Sequence, residues 1–134
     1  NKFGKETVKS YYKNMNLDGK HFSFKTTTHA IVLKILEEIN STKSAGIDNL
    51  SGKFLKEGAS ILAMPITELC NLSISLSIFP NNCKAAKLKP IYKKETKTNP
   101  KNYRPISLLP LISKIIEKII HNQTQEFIDQ YKIL

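Results

Sequence analysis

Five of the six prolines lie between Pro80 and Pro110, at 80, 90, 100, 105 and 110. Proline has no amide hydrogen and a locked φ, so a helix cannot run through such a stretch. The chain is therefore divided into two helix-forming parts with extended chain and turns between them. From Ala86 to Lys93, alternation puts Lys87, Lys89, Ile91 and Lys93 on one side of a strand and Leu88, Pro90 and Tyr92 on the other. Pro90 removes a ladder donor, which marks a strand edge or end. Residues 94–101, "KETKTNPK", form a polar turn with Asn99 and Pro100 at its tip. Residues 103–108 return as a second arm, with Pro105 again marking an edge, and Pro110 ends it. The expectation is a basic antiparallel hairpin with a protruding, flexible tip.

The flanking parts show helical spacing. Thr26, Thr27 and Thr28 offer an N-cap for residues 29–39, where Ile31, Val32, Ile35, Leu36 and Ile39 repeat along one face. Residues 43–48, "KSAGID", form a loop in which Gly46 permits positive φ and Asp48 and Asn49 suit a turn. Ser51 caps a short helix that ends near Gly58. Residues 61–76 are a strongly apolar helix closed by Phe79 and Pro80, with Pro65 tolerable only near its first turn. Residues 111–131 carry the stripe Ile112, Ile115, Ile116, Ile119, Ile120, Phe127 and Ile128. The fold class expected is α/β in the α+β sense, mostly helical with one small antiparallel basic β-hairpin. Residues 1–23 read as a lead-in or linker and residues 24–134 as one partial domain.

Charge is uneven along the chain. Residues 1–40 carry seven bases and four acids, residues 41–80 three of each, and residues 81–134 eleven and four. The net charge of +10 thus concentrates around the hairpin. A basic stripe favours polyanions such as nucleic acid, although a solvated lysine-rich face has the same composition. No uninterrupted run of eighteen apolar residues occurs, so no membrane span is expected. No signal peptide is read at the start, and Cys70 and Cys83 lack metal-ligand spacing. An intracellular, non-secreted chain is expected, with Cys70 a small core residue.

Catalytic patterns are missing. His21, His29 and His121 are scattered, and Gly46, Gly52 and Gly58 fit neither a P-loop nor a dinucleotide fingerprint. No metal site and no cofactor are expected in this stretch. What remains is the hairpin, whose arms would bring Lys93 and Lys94 beside Arg104, the one arginine among twenty lysines. Lysine supplies a point charge and arginine a planar fork that grips two phosphate oxygens. Such a clamp suits a polyphosphate. The alternative is a solvated hairpin whose charges discourage edge-to-edge pairing.

Two stretches, "KSAGIDNLSGKFLKEGA" and "LCNLSISLSIFPNNCKAAKLKPIYKKETKTNPKNYRPISLLPLISKIIEKII", resemble the reverse transcriptases of non-LTR (LINE-type) retrotransposons. The resemblance runs from about Phe24 to the C-terminus, and "NYRPISLL" followed by "SKIIEK" is its most specific part. It implies the fingers portion of an RNA-directed DNA polymerase, ahead of the palm. The family's Pro-Ile-x-Lys-Lys strand implies that Lys93, with Lys94 beside it, contacts the incoming nucleotide's phosphates. The arginine of the next motif, which carries over to Arg104, is the other phosphate contact. The loop at Lys43 lies near the template in the family, where its usual form ends in glycine and this chain has Asn49. Lys43, Lys87 and Lys89 are expected to touch nucleic acid.

Of the palm motifs that hold two metals, the Tyr-x-Asp-Asp type does not occur between Asn1 and Leu134, and the one Phe-x-Asp string, Phe127-Ile128-Asp129, falls within the final helical stripe. This stretch alone is therefore expected to be inactive. Mg2+, an RNA template, a DNA primer, dNTP and the palm and thumb are what the resemblance implies for a complete polymerase, acting in the nucleus or cytoplasm and at no membrane. A non-catalytic nucleic-acid-binding module, or an inactive relic of a retroelement, is the alternative.

Overall fold

A computed structural model describes residues 21–94 and 96–133, so most of the expected lead-in, residues 1–23, lies outside the described residues. The chain divides into two compact units, Thr26–Ile119 and a second whose described residues are 21–25 and 120–133.

The first unit opens with α1, His29–Glu37. The Thr28 hydroxyl accepts the Ile31 amide at 3.4 Å and so caps the helix, as expected of that position. Helix α2, Gly52–Glu57, is capped in the same way by Ser51, which accepts the Phe54 amide at 3.2 Å. Helix α3 spans Ala59–Leu76. It buries Ala59, Ala63, Ile66 and Cys70 along one stripe, at the 3.6-residue period. Val32 and Leu36 of α1, Leu55 of α2, and Leu111, Ile115, Ile116 and Ile119 complete the core. Thr27 is held by an amide clamp: its N–H donates to Asn71 Oδ1 at 2.7 Å, and Asn71 Nδ2 donates to its carbonyl at 3.1 Å.

Three details of α3 differ from the sequence reading. Pro65 sits in the second turn, not the first. Its missing amide leaves the Ile61 carbonyl without a helical partner, on a face where Ile61 is 79% exposed and water can serve. The helix ends at Leu76 as expected, but Ser77, and not Phe79 and Pro80, closes it. Ser77 takes a left-handed φ of 54°, and the Ile78 amide reaches back to the Ser73 carbonyl at 3.1 Å, a Schellman closure. Finally, α3 has a mean hydropathy of 1.4 over 18 residues, long and apolar enough by length and composition to cross a bilayer. Its apolar residues are interrupted by Thr67, Glu68, Asn71 and three serines, so they form no uninterrupted run.

Strands β1, Lys87–Tyr92, and β2, Tyr103–Leu108, pair antiparallel as a two-stranded sheet. Helix α4, Leu111–Tyr131, follows Pro110. Helices with a small antiparallel hairpin make this an α+β fold.

In the second unit, Lys25 is clamped by Gln123 of α4. The Lys25 amide donates to Oε1 at 2.8 Å, and Gln123 Nε2 donates to the Lys25 carbonyl at 2.9 Å. Phe22, Phe24, Phe127 and Tyr131 form a ring cluster with centroid separations of 4.8–5.2 Å. The helix closes on Lys132, whose φ is 50°, with the Ile133 amide bonded to the Ile128 carbonyl.

Candidate nucleic-acid interface

The hairpin is built on its turn. The Lys93 amide donates to the Asn102 carbonyl at 2.8 Å, directly across the strands. Asn102 Nδ2 donates to the Thr96 carbonyl at 2.8 Å, the Asn99 side chain accepts the Lys101 amide at 3.0 Å, and the Tyr103 hydroxyl donates to the Lys97 carbonyl at 2.9 Å. The tip read as flexible therefore carries its own hydrogen-bond network, with Pro100–Asn102 as a 3-10 turn.

Hydrogen-bonded and non-bonded pairs alternate along an antiparallel ladder. Counting from the bonded Lys93–Asn102 pair, Pro90 opposite Pro105 falls at a non-bonded site. The donors missing at both prolines would have pointed away from the partner strand. Pro90 thus removes no bond from this ladder, and both prolines instead block further strands from adding at either edge. Tyr92 opposite Tyr103 is also a non-bonded pair, where side chains approach closely. Their rings meet edge to face at 5.7 Å, and Lys97 Nζ lies 5.8 Å from the Tyr92 ring centre.

The register puts Lys87, Lys89, Ile91, Arg104, Ile106 and Leu108 on one face. Every residue of β1 is exposed, and so is Arg104. Among the described residues, none of Lys87, Lys89, Lys93, Lys94 or Arg104 has a carboxylate within ion-pair distance. Arg104 stands opposite Ile91, not Lys93. The ammonium and guanidinium are therefore not directly paired, because Lys93 stands opposite Asn102, two residues before Arg104. Lys93 is the diagonal neighbour of Arg104 on the same face, a separation of about 7–8 Å between backbones, which a bridging phosphate group can span. Lys94 lies beyond the strand, in a bend.

Lys43 belongs to a different neighbourhood. It lines a groove of about 200 Å³ with Lys114 and Lys118 over Ile35, Ile39 and Ile115, and no hairpin residue lines that groove. Lys114 pairs with Glu117 at 3.0 Å, an exposed pair worth little. Lys114 and Lys118 went unassigned in the sequence, although their spacing of four on one helix was a usable signal. The loop after Lys43 corrects the role of Gly46. Its φ is not left-handed; a Cβ there would lie 2.6 Å from the Pro110 nitrogen and 2.7 Å from the Leu109 carbonyl carbon. Glycine is needed for close approach of the loop to the hairpin's exit. The left-handed residue is Asn49, with φ 58°, and asparagine tolerates that region better than other non-glycine residues.

The cysteines take no part in the interface. Burial, and secondarily the neighbouring Cys83, pushes the Cys70 thiol up to about 11. Burial, then Asp48, raises Cys83 as well. Both are protonated, inert core thiols at neutral pH.

No family model matches the chain. It is 33% identical over 107 residues, 77% of its length, to the probable RNA-directed DNA polymerase from transposon BS of Drosophila melanogaster. It is 32% identical over 90 residues to the probable RNA-directed DNA polymerase from transposon X-element of the same organism. A putative 115 kDa protein in type-1 retrotransposable element R1DM, also from Drosophila melanogaster, is 28% identical over 94 residues. These matches cover 12%, 10% and 9% of the relatives' own lengths. Across most of its own length, then, the chain is similar to about a tenth of proteins named for RNA-directed DNA polymerases and a retrotransposable element.

Proposed function

We propose that the chain is the fingers portion of an RNA-directed DNA polymerase from a non-LTR retroelement, and that its hairpin grips the triphosphate of the incoming dNTP. The observation that carries this reading is the hairpin face itself. Arg104 and Lys93 share it, both exposed and without carboxylate partners among the described residues. The similarity to proteins named for RNA-directed DNA polymerases supports the substrate class. Arg104 supplies a rigid bidentate fork, Lys93 a point charge diagonal to it, and Lys94 further charge from the bend. Together they would hold phosphates and offset charge that develops during transfer. Lys87 and Lys89 extend the same face toward the template backbone, and Lys43 contacts nucleic acid from its separate groove.

Among the described residues no group of three or more His, Cys, Asp or Glu side chains could hold a metal ion. In this reading the metals and the bond-forming step belong to the palm of a longer polymerase. RNA template and DNA primer are the partners in this reading, inside the cell.

A non-catalytic nucleic-acid-binding module is the second reading, favoured by a hairpin that is exposed along the whole of β1. Titration with a fluorescent dNTP separates the two. Arg104→Ala should weaken dNTP binding about tenfold or more, the scale of a lost charged hydrogen bond. Arg104→Lys should recover only part of it, because charge returns without the fork. Unchanged dNTP binding in Arg104→Ala, with oligonucleotide binding intact, would leave the binding module as the function.

A further inference from the structure

The second unit contains a cavity of about 280 Å³ that the hairpin reading does not use. Phe22, Phe127 and Tyr131 line it. Phe127 and Tyr131 are one helical turn apart, so their rings share a face of α4, with centroids 4.8 Å apart. Phe22 packs on Phe127 at 5.2 Å. At the rim stand Lys25, Glu126 and Gln130, all exposed. None of these three side chains takes a hydrogen bond or ion pair among the described residues. The backbone of Lys25 is nonetheless fixed through the Gln123 clamp, so its side chain is rooted at the mouth.

An aromatic wall with an unengaged amide, carboxylate and ammonium at its rim matches a planar heterocycle joined to phosphate. We propose that this cavity holds one unpaired base of a single-stranded nucleic acid. The base stacks on the rings of Phe127 and Tyr131, Gln130 and Glu126 face its edge, and Lys25 meets the adjacent phosphate. The volume falls just below the roughly 300 Å³ at which drug-sized pockets begin, which leaves room for one base and not a stacked run. A cationic side chain caged by the rings is the rival occupant, attracted by Glu126 and repelled by Lys25. This inference goes beyond the hairpin reading and uses none of its residues.

The test is fluorescence anisotropy on the whole chain with a short labelled oligouridylate and with an abasic oligomer of the same length. Base stacking predicts that Tyr131→Leu and Phe127→Leu each weaken oligouridylate binding about fivefold or more. The slope of log K against log salt should stay unchanged, because no phosphate contact is lost. The abasic oligomer should bind the wild type and both variants equally. Equal loss for both oligomers, or wild-type oligouridylate binding in Tyr131→Leu, overturns the proposal. So does a wild-type chain that fails to bind oligouridylate or prefers a trimethyl-lysine peptide. Should circular dichroism show that the ring variants lose helix, Gln130→Ala on the exposed rim decides. It should alter the preference between oligouridylate and oligoadenylate, and an unaltered preference overturns the proposal. Loss of dNTP binding in hairpin variants is read separately and bears only on the proposed function.

Discussion

The helices and the hairpin divide stability and charge between them. In the Thr26–Ile119 unit the helices bury nearly all of the core, while β1 exposes every residue on both faces. A two-stranded hairpin is marginal on its own in water. This one is held by its turn network, its Tyr92–Tyr103 pair and the seat of Gly46 on residues 109–110. Apart from Lys97, which lies over the Tyr92 ring, its cations make no ion pair among the described residues, and their charge can be set by a ligand's needs. The sharpest way to break this contrast is to remove the same atoms from each region. Ile115, 1% exposed, cut back to alanine should cost about 2–5 kcal/mol in urea denaturation. Ile106, 41% exposed on the hairpin, should cost within about 0.5 kcal/mol. Equal costs would mean that the hairpin is part of the core's cooperative unit.

Binding should show the reverse. The double variant Lys87→Ala, Lys89→Ala should lower the slope of log K against log salt for oligonucleotides by about two, one per phosphate contact. Its melting temperature should stay at the wild-type value. A shift in melting without a change in slope would make these lysines part of the scaffold and the face merely solvated.

How much of this was legible follows the same division. Elements set by local chemistry could be read directly: Pro110 ahead of α4, Thr28 and Ser51 as caps, and β2 over residues 103–108. Features set by distant contacts could not. The 2.6 Å approach at Gly46 depends on Pro110, far along the chain, so a glycine in a turn-like string was read as a φ requirement. The offset of Lys93 from Arg104 depends on where Asn102 closes the turn. Lys43 meets Lys114 and Lys118 only because α1 and α4 share a core. The two amide clamps, Asn71 on Thr27 and Gln123 on Lys25, leave no local signature, since any exposed-looking amide on a helix could serve.

Helix α3 sharpens the comparison at a smaller scale, because its end carries strain the hairpin lacks. Ser77 holds a left-handed φ that costs a side-chain-bearing residue about 1 kcal/mol. Ser77→Gly should therefore raise the denaturation free energy by about that amount, less what glycine adds to the unfolded chain's entropy. Oligonucleotide affinity should not move. A destabilised Ser77→Gly would mean that the Ser77 side chain holds contacts worth more than the strain.

The smallest effect concerns pH. Cys70 is buried in the helical core, and its thiol is raised from 9.0 to about 11 by burial first and Cys83 second. The folded state thus favours the protonated thiol, and the unfolded chain releases that proton more readily. The contribution is fully present below pH 9 and is lost as pH rises toward 11. Relative to Cys70→Ala, the wild type should lose on the order of 0.5 kcal/mol between pH 7 and pH 9. Denaturant titrations of the two proteins at both pH values measure it. A gap between the two proteins that stays constant with pH would mean that Cys70 is already open to water in the native state, and that the core is looser around α3 than its burial indicates.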